Sequence, residues 1–163
     1  MHIWPLTNGH QMSQFTEVEL EFCKKFIEKI MKHPLSNMYL TPVDPKRDQV
    51  ENYFKIISEP MDLGIIKRRL DSGEYKNTEE FKYDVNLVWT NSMTYLKKKT
   101  NLLYQVAAHM KEKCDKLLKN IPKTRVDEWE LKVEIANKRL QNHLALAIPH
   151  ESLVPRKSEY AIT

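Results

Sequence analysis

The sequence is poor in glycine. Only three occur in 163 residues, Gly9, Gly64 and Gly73, roughly a quarter of average usage. So few cannot spell GxGxxG or GxxxxGK[ST], which excludes the glycine-loop phosphate cradles. Barrels and sandwiches built on tight hairpins are disfavoured as well, because type I′ and II′ turns lean on glycine. The two cysteines, Cys23 and Cys114, match no metal-ligand spacing and are too few for a disulfide framework. They read as buried thiols of a protein in a reducing compartment. No apolar run approaches the roughly 18 residues of a membrane span, and the amino terminus lacks the basic and apolar stretches of a secretory signal. A soluble intracellular protein is expected, with no membrane partner.

What is present favours helix. Lys, Glu, Leu and Met abound while turn formers are scarce, and the length allows one domain with a sizeable core plus tails. The 26 basic and 22 acidic residues leave a net charge of +4, too mild for a chain that binds nucleic acid over its whole surface. The charge is uneven, however, with nine Lys or Arg against two acids from Lys97 to Arg125. Such an excess is ordinarily a solvated helix face, and a phosphate-backbone contact is the alternative.

Residues 1–15 show no periodicity and read as a flexible arm. Thr16 and Glu19 make a capping box. Behind it Leu20, Cys23, Ile27, Ile30 and Met31 recur at helical spacing, until Lys32-His33-Pro34 stops the helix. Residues 34–61 hold four prolines and no sustained helical period, yet carry many large apolar groups. A long loop of that kind must be packed down, and such loops tend to be functional.

Asp62 caps a short helix, Leu63 to Leu70, which ends at Ser72-Gly73; Gly64 inside it permits close packing. Asn77 and Glu80 form a second capping box before a helix from Thr78 to about Leu96, whose face is Phe81, Val85, Val88 or Trp89, Ser92 and Tyr95. After a break, Thr100 or Asn101 caps a helix with Leu103, Ala107, Met110, Cys114 and Leu117 on one face, ended by Ile121-Pro122. A further amphipathic helix starts at Thr124, with Val126, Trp129, Val133, Ala136, Leu140 and Leu144 as its stripe. The organisation expected is a helical bundle over 16–121, an additional helix within 122–148 and a disordered tail over 149–163.

Catalysis finds no support. The six histidines are scattered and none stands in a nucleophile motif. His33 and His109 lack a partner at ligand spacing, so no metal, no cofactor and no enzyme activity are expected.

Several motifs fall in a telling order. Tyr39, Pro42-Val43-Asp44 and Val50 precede Tyr53-Phe54-Lys55-Ile56-Ile57. Pro60-Met61-Asp62-Leu63-Gly64, Ile66, Leu70 and Tyr75 follow, and then Phe81, Asp84-Val85, Leu87, Trp89, Asn91, Tyr95 and Tyr104 to Ala107. Over roughly residues 18–120 the chain resembles the bromodomain family. The resemblance implies an all-α, left-handed four-helix bundle with a long first loop and a pocket at one end that takes an acetylated lysine. Acetylation removes the lysine charge, so the side chain enters an apolar slot without the cost of burying an ammonium. The pocket set implied is Tyr39, Pro42, Val43, Val50, Tyr53, Met61, Asn91, Tyr95 and Leu96, with Leu102 or Leu103 at its edge. In the family a water held by the tyrosine that Tyr53 matches helps to bind the acetyl carbonyl.

One position departs from the pattern. The family keeps an asparagine directly after the tyrosine that Tyr95 matches, and here that residue is Leu96, which has no donor. Losing that hydrogen bond costs about 1–3 kcal/mol, roughly ten- to a hundredfold in affinity. Asn91 matches a separate structural asparagine, and Asn101 is the alternative donor if the longer break folds back. Lys97, Lys98 and Lys99 at the pocket rim oppose a basic histone tail, partly offset by five acids against three bases between Pro34 and Asp62. Screening over about 8 Å lets such rim charges tune affinity without forbidding binding.

Two functions follow as expectations. The first is a nuclear, chromatin-associated reader of an acetylated histone tail or another acylated nuclear protein, with weakened ligand recognition. The second is a degenerate bromodomain without acetyl-lysine binding, acting as an interaction scaffold or touching DNA through Lys97, Lys98 and Lys99.

Overall fold

Helix α1 (Glu17–Met31) begins where the capping box places it. The Thr16 hydroxyl accepts the Glu19 N–H at 3.1 Å, and the Glu19 carboxylate accepts the Thr16 N–H at 2.8 Å. The same hydroxyl donates to the Lys123 carbonyl at 3.1 Å, tying the start of the chain to its return. These elements belong to a computed structural model that describes residues 15–147. The expected disordered tail, and all of the expected arm except Phe15, lie outside the described residues.

Helices α3 (Leu63–Asp71), α4 (Thr78–Leu96) and α5 (Leu102–Leu118) follow the expected order. Asp62 caps α3 through the Ile65 N–H at 2.9 Å. The second capping box is only half formed. Asn77 accepts the Glu80 N–H at 2.9 Å, but the Glu80 carboxylate reaches one residue further back, to the Lys76 N–H. Between α3 and α4 the chain turns at Gly73 (φ 72°), whose successor returns its N–H to the Arg69 carbonyl at 2.9 Å. A left-handed residue after a helix end is where glycine is favoured.

The core of the bundle draws on α1, α3, α4 and α5. Cys23, Phe26, Ile27 and Ile30 of α1 meet Leu63, Ile66 and Leu70 of α3, with Phe81, Val85, Val88 and Trp89 of α4 and Met110, Cys114 and Leu118 of α5. The alternative between Val88 and Trp89 dissolves, because both are buried. Leu118 completes the α5 row, and Leu117 is only partly buried. Asp84 is buried as well, and takes hydrogen bonds from Arg69 and the Tyr75 hydroxyl at 2.7 Å each. All regular structure among the described residues is helical, as the composition and the resemblance led us to expect.

The segment 34–61 is more structured than its missing period implied. A 3-10 helix runs over Pro34–Tyr39, and α2 is the single turn Tyr53–Ile56. Each is too short to show a hydrophobic repeat. Between them Asp44 folds the chain by accepting the N–H groups of Lys46 and Arg47 at 2.9 and 3.1 Å. Gln49 at φ 57° then reverses direction, and Val50 returns its N–H to the Pro45 carbonyl at 2.9 Å. Gly64 lets this loop settle on α3, since a Cβ there would stand 2.6 Å from the Leu40 carbonyl oxygen.

A second unit begins at Arg125 and is described by itself. It consists of α6 (Arg125–Ala147), which carries Val126, Trp129, Val133, Ala136, Leu140 and Leu144 at the expected spacing. Among the described residues of this unit, no second element packs on that stripe.

Candidate functional site

A cavity of about 350 Å³ opens between the loop and the end of α4, within the roughly 300–1,000 Å³ range of small-ligand sites. The loop contributes Tyr39, Val43 and Val50, α2 contributes Tyr53, and Met61 lies just before α3. From α4 come Val88, Ser92, Tyr95 and Leu96, and from the first turn of α5 comes Leu103. Spacing of three and four residues along α4 brings its four onto one face.

The aromatic groups are fixed by their neighbours. The Tyr39 ring meets Trp89 edge-on at 4.9 Å, and its hydroxyl shares a 3.0 Å hydrogen bond with Ser92. Tyr53 lies 5.4 Å from the Tyr95 ring and 5.5 Å from Phe54. Burial pushes the Tyr39 and Tyr53 hydroxyls above their ordinary value, with Tyr39 and the Asp62 carboxylate adding to the effect at Tyr53. Both stay protonated at neutral pH. The Tyr53 hydroxyl makes no hydrogen bond among the described residues, so its proton is available to a ligand.

Among the other polar groups of the wall, Arg47 and Asp62 are held by neighbours, whereas the Asn37 amide and the Thr41 and Tyr95 hydroxyls make no hydrogen bond among the described residues. Arg47 holds Asp48 through two hydrogen bonds of 2.7 and 2.9 Å and reaches the Pro42 carbonyl at 3.1 Å. Asp62 spends one carboxylate oxygen on the α3 cap, and the other is buried without a partner.

Three residues of the implied set are placed elsewhere. Asn91 is buried and donates to the Glu59 carbonyl at 2.8 Å, pinning the segment before Met61. Pro42 does not line the cavity, although its carbonyl holds Arg47. Of the two edge candidates, Leu103 lines the wall while Leu102 is 73% exposed. One residue decides this because successive helical positions point about 100° apart. Asn101 does not fold back into the site; its side chain accepts the Leu103 N–H at 2.8 Å and caps α5.

Sequence reading passed over Asn37, Met38, Thr41, Arg47, Asp48 and Asp62 as wall residues. Asp62 is legible as a cap and within the Pro60–Gly64 motif, though not as a wall residue. The others carry no periodic signal that would announce them. Ser92 and Val88 were legible on the α4 face, though not as parts of a site.

Helix α4 ends abruptly after Leu96. Lys97 has φ 56° and ψ −38°, and the Lys98 N–H turns back to the Leu96 carbonyl. This is a classic-type γ-turn, a rare and strained conformation for a residue with a side chain. It presents Lys97, Lys98 and Lys99, all exposed, beside the cavity edge.

Comparison with known proteins agrees with this architecture. The bromodomain family model matches residues 23–109, more than half of the chain. Transcription factor GTE11 of Arabidopsis thaliana is 30% identical over 151 residues, 93% of this chain and 24% of that protein. Bromodomain-containing factor 1 of Saccharomyces cerevisiae is 34% identical over 96 residues, 57% of this chain and 14% of that protein. The chain thus spans a quarter or less of the length of either relative. Among solved structures, the second bromodomain of Candida albicans Bdf1, bound to an imidazopyridine, superposes with a TM-score of 0.59 at 30% identity. That match covers 63% of this chain and 99% of the Candida chain. With its helices in that order, its cavity between the long loop and the end of α4, and a family match over most of the bundle, the chain belongs to the bromodomain family.

Proposed function

We propose that this chain is a chromatin-associated module of a nuclear protein that admits an acylated lysine side chain, from a histone tail or another nuclear protein, and holds a single mark weakly. It binds and does not catalyse. One observation carries this reading. Tyr39, Val43, Val50, Tyr53, Met61 and Tyr95 converge on one cavity, while position 96 at its edge is a leucine without a donor. The neutral acyl-lysine suits such a wall because no charge is buried. Tyr53 supplies the free hydroxyl for the carbonyl.

The test is an array of acetylated and unmodified histone peptides. Binding confined to the acetylated set supports the reading, and equal or absent binding across both sets refutes it. Leu96→Asn restores a donor at the end of α4 and should strengthen acetyl-lysine binding by a few-fold or more.

A second reading has its own observation. Lys97, Lys98 and Lys99 form no ion pair among the described residues, and a strained turn displays them side by side. They suit contact with a phosphate backbone, in which case DNA affinity should fall steeply with added salt. A flat salt response removes that contact.

A further inference from the structure

The donor inventory of the cavity bears on which acyl group it prefers. Tyr39 and Ser92 satisfy each other at 3.0 Å, and Arg47 is held by Asp48. Asn91 is spent on the Glu59 carbonyl and Asn101 caps α5. Of the wall donors left without a partner, Asn37, Thr41, Tyr53 and Tyr95, Tyr53 is the buried one. An acyl-lysine carbonyl that reaches Tyr53 gains the same hydrogen bond whatever the length of the acyl chain.

The rest of the wall rewards length. Leu96, Leu103, Val43 and Val50 present aliphatic surface, and Leu96 stands where a carboxamide would demand a polar partner. An acetyl group offers this surface one methyl. Each further methylene that leaves water gains roughly fourfold in affinity, so two fully buried ones gain about fifteenfold. The missing donor weakens every acyl group alike, whereas the apolar wall strengthens only the longer ones.

Resting on the acyl-lysine reading above, we propose that this cavity prefers a four-carbon saturated acyl group on lysine, of the butyryl type, over acetyl. Tyr53 serves the carbonyl and the alkyl arm packs on the Leu96 side of the wall.

The experiment titrates the whole chain with one lysine peptide in three forms, unmodified, acetylated and butyrylated, by calorimetry. Butyryl-lysine should bind at least threefold more tightly than acetyl-lysine, and the unmodified peptide should not bind. Leu96→Asn should serve both acyl carbonyls alike while removing the aliphatic surface, and so bring the two acyl affinities within about twofold of each other. Leu96→Ala removes the aliphatic surface without adding a donor and should also shrink the ratio. Leu96 is only half-buried at a helix end, so both variants should fold, which circular dichroism checks. Acetyl bound as tightly as butyryl, with both preferred over unmodified lysine, overturns the chain-length preference and leaves the reader intact. A butyryl preference that survives both substitutions overturns the role of Leu96. No preference for either acyl form over unmodified lysine overturns the reading itself, and this inference with it.

Discussion

Gly64→Ala offers a test in which two opposing effects can be weighed beforehand. At an ordinary interior helix position the change should stabilise, because alanine is better than glycine by about 0.8–1 kcal/mol. Here the added Cβ would lie 2.6 Å from the backbone carbonyl oxygen of Leu40 and 3.0 Å from the Asp62 carboxylate that caps α3. A backbone carbonyl cannot swing aside as a side chain can. The loop or the helix must shift by several tenths of an ångström, and overpacking of this kind costs about 1–3 kcal/mol. The added strain on the α3 cap brings roughly another 1 kcal/mol into play. The clash therefore outweighs the propensity gain, for a net loss of about 1–2 kcal/mol. In urea, with a slope of about 1–3 kcal/mol per molar, the midpoint should fall by roughly 0.3–2 M. Leu40 sits between Tyr39 and Thr41, both in the cavity wall, so acyl-lysine affinity should drop along with stability. A raised midpoint would refute the close approach and return Gly64 to the class of ordinary helix glycines.

Three further outcomes are expected. Tyr53→Phe deletes a hydroxyl that has no partner among the described residues, so stability should hold within about 0.5 kcal/mol while acyl-lysine affinity falls several-fold; comparable losses in both would show the hydroxyl to be structural. Asp84→Asn should destabilise by about 1–3 kcal/mol, moderated because the Arg69 side chain is 38% exposed and regains water; an unchanged denaturation midpoint would contradict the pairing. Burial pushes the Cys23 and Cys114 thiols from the ordinary 9.0 up to about 12, and raises Tyr75 through burial and the Asp84 carboxylate. The unfolded chain then releases these protons first, so their contribution is full below about pH 9 and is lost as pH rises toward 12. A denaturation midpoint that stays level between pH 8 and 11 would be inconsistent with that burial.

Local chemistry made much of the architecture legible. The Thr16–Glu19 box, the Asp62 cap and the Asn77 cap each act within four residues, so helix starts could be read from adjacent letters. Apolar spacing of three and four then identified which face of α1, α4 and α5 turns inward. The scarcity of glycine belongs here too. With Gly73 spent on a helix end and Gly64 on a close approach, the described chain has none left for hairpins.

What the letters left open depended on groups distant in sequence. The 3-10 helix spans two turns and α2 a single one, both too short for a hydrophobic period to show. The Tyr39–Ser92 and Asn91–Glu59 hydrogen bonds join residues 53 and 32 positions apart, and no local pattern encodes such pairs. Choosing Leu103 over Leu102 required the rotation of α5 about its axis, which its Asn101 cap and packing determine.

Composition, capping and hydrophobic period by themselves pointed to an all-α domain and to where its long helices start, and the family resemblance marked position 96 as lacking a side-chain donor. Only the tertiary structure decided which polar groups remain available to a ligand. A donor is free or spent according to the partners that folding brings beside it, and for Tyr39 and Asn91 those partners lie 53 and 32 residues away.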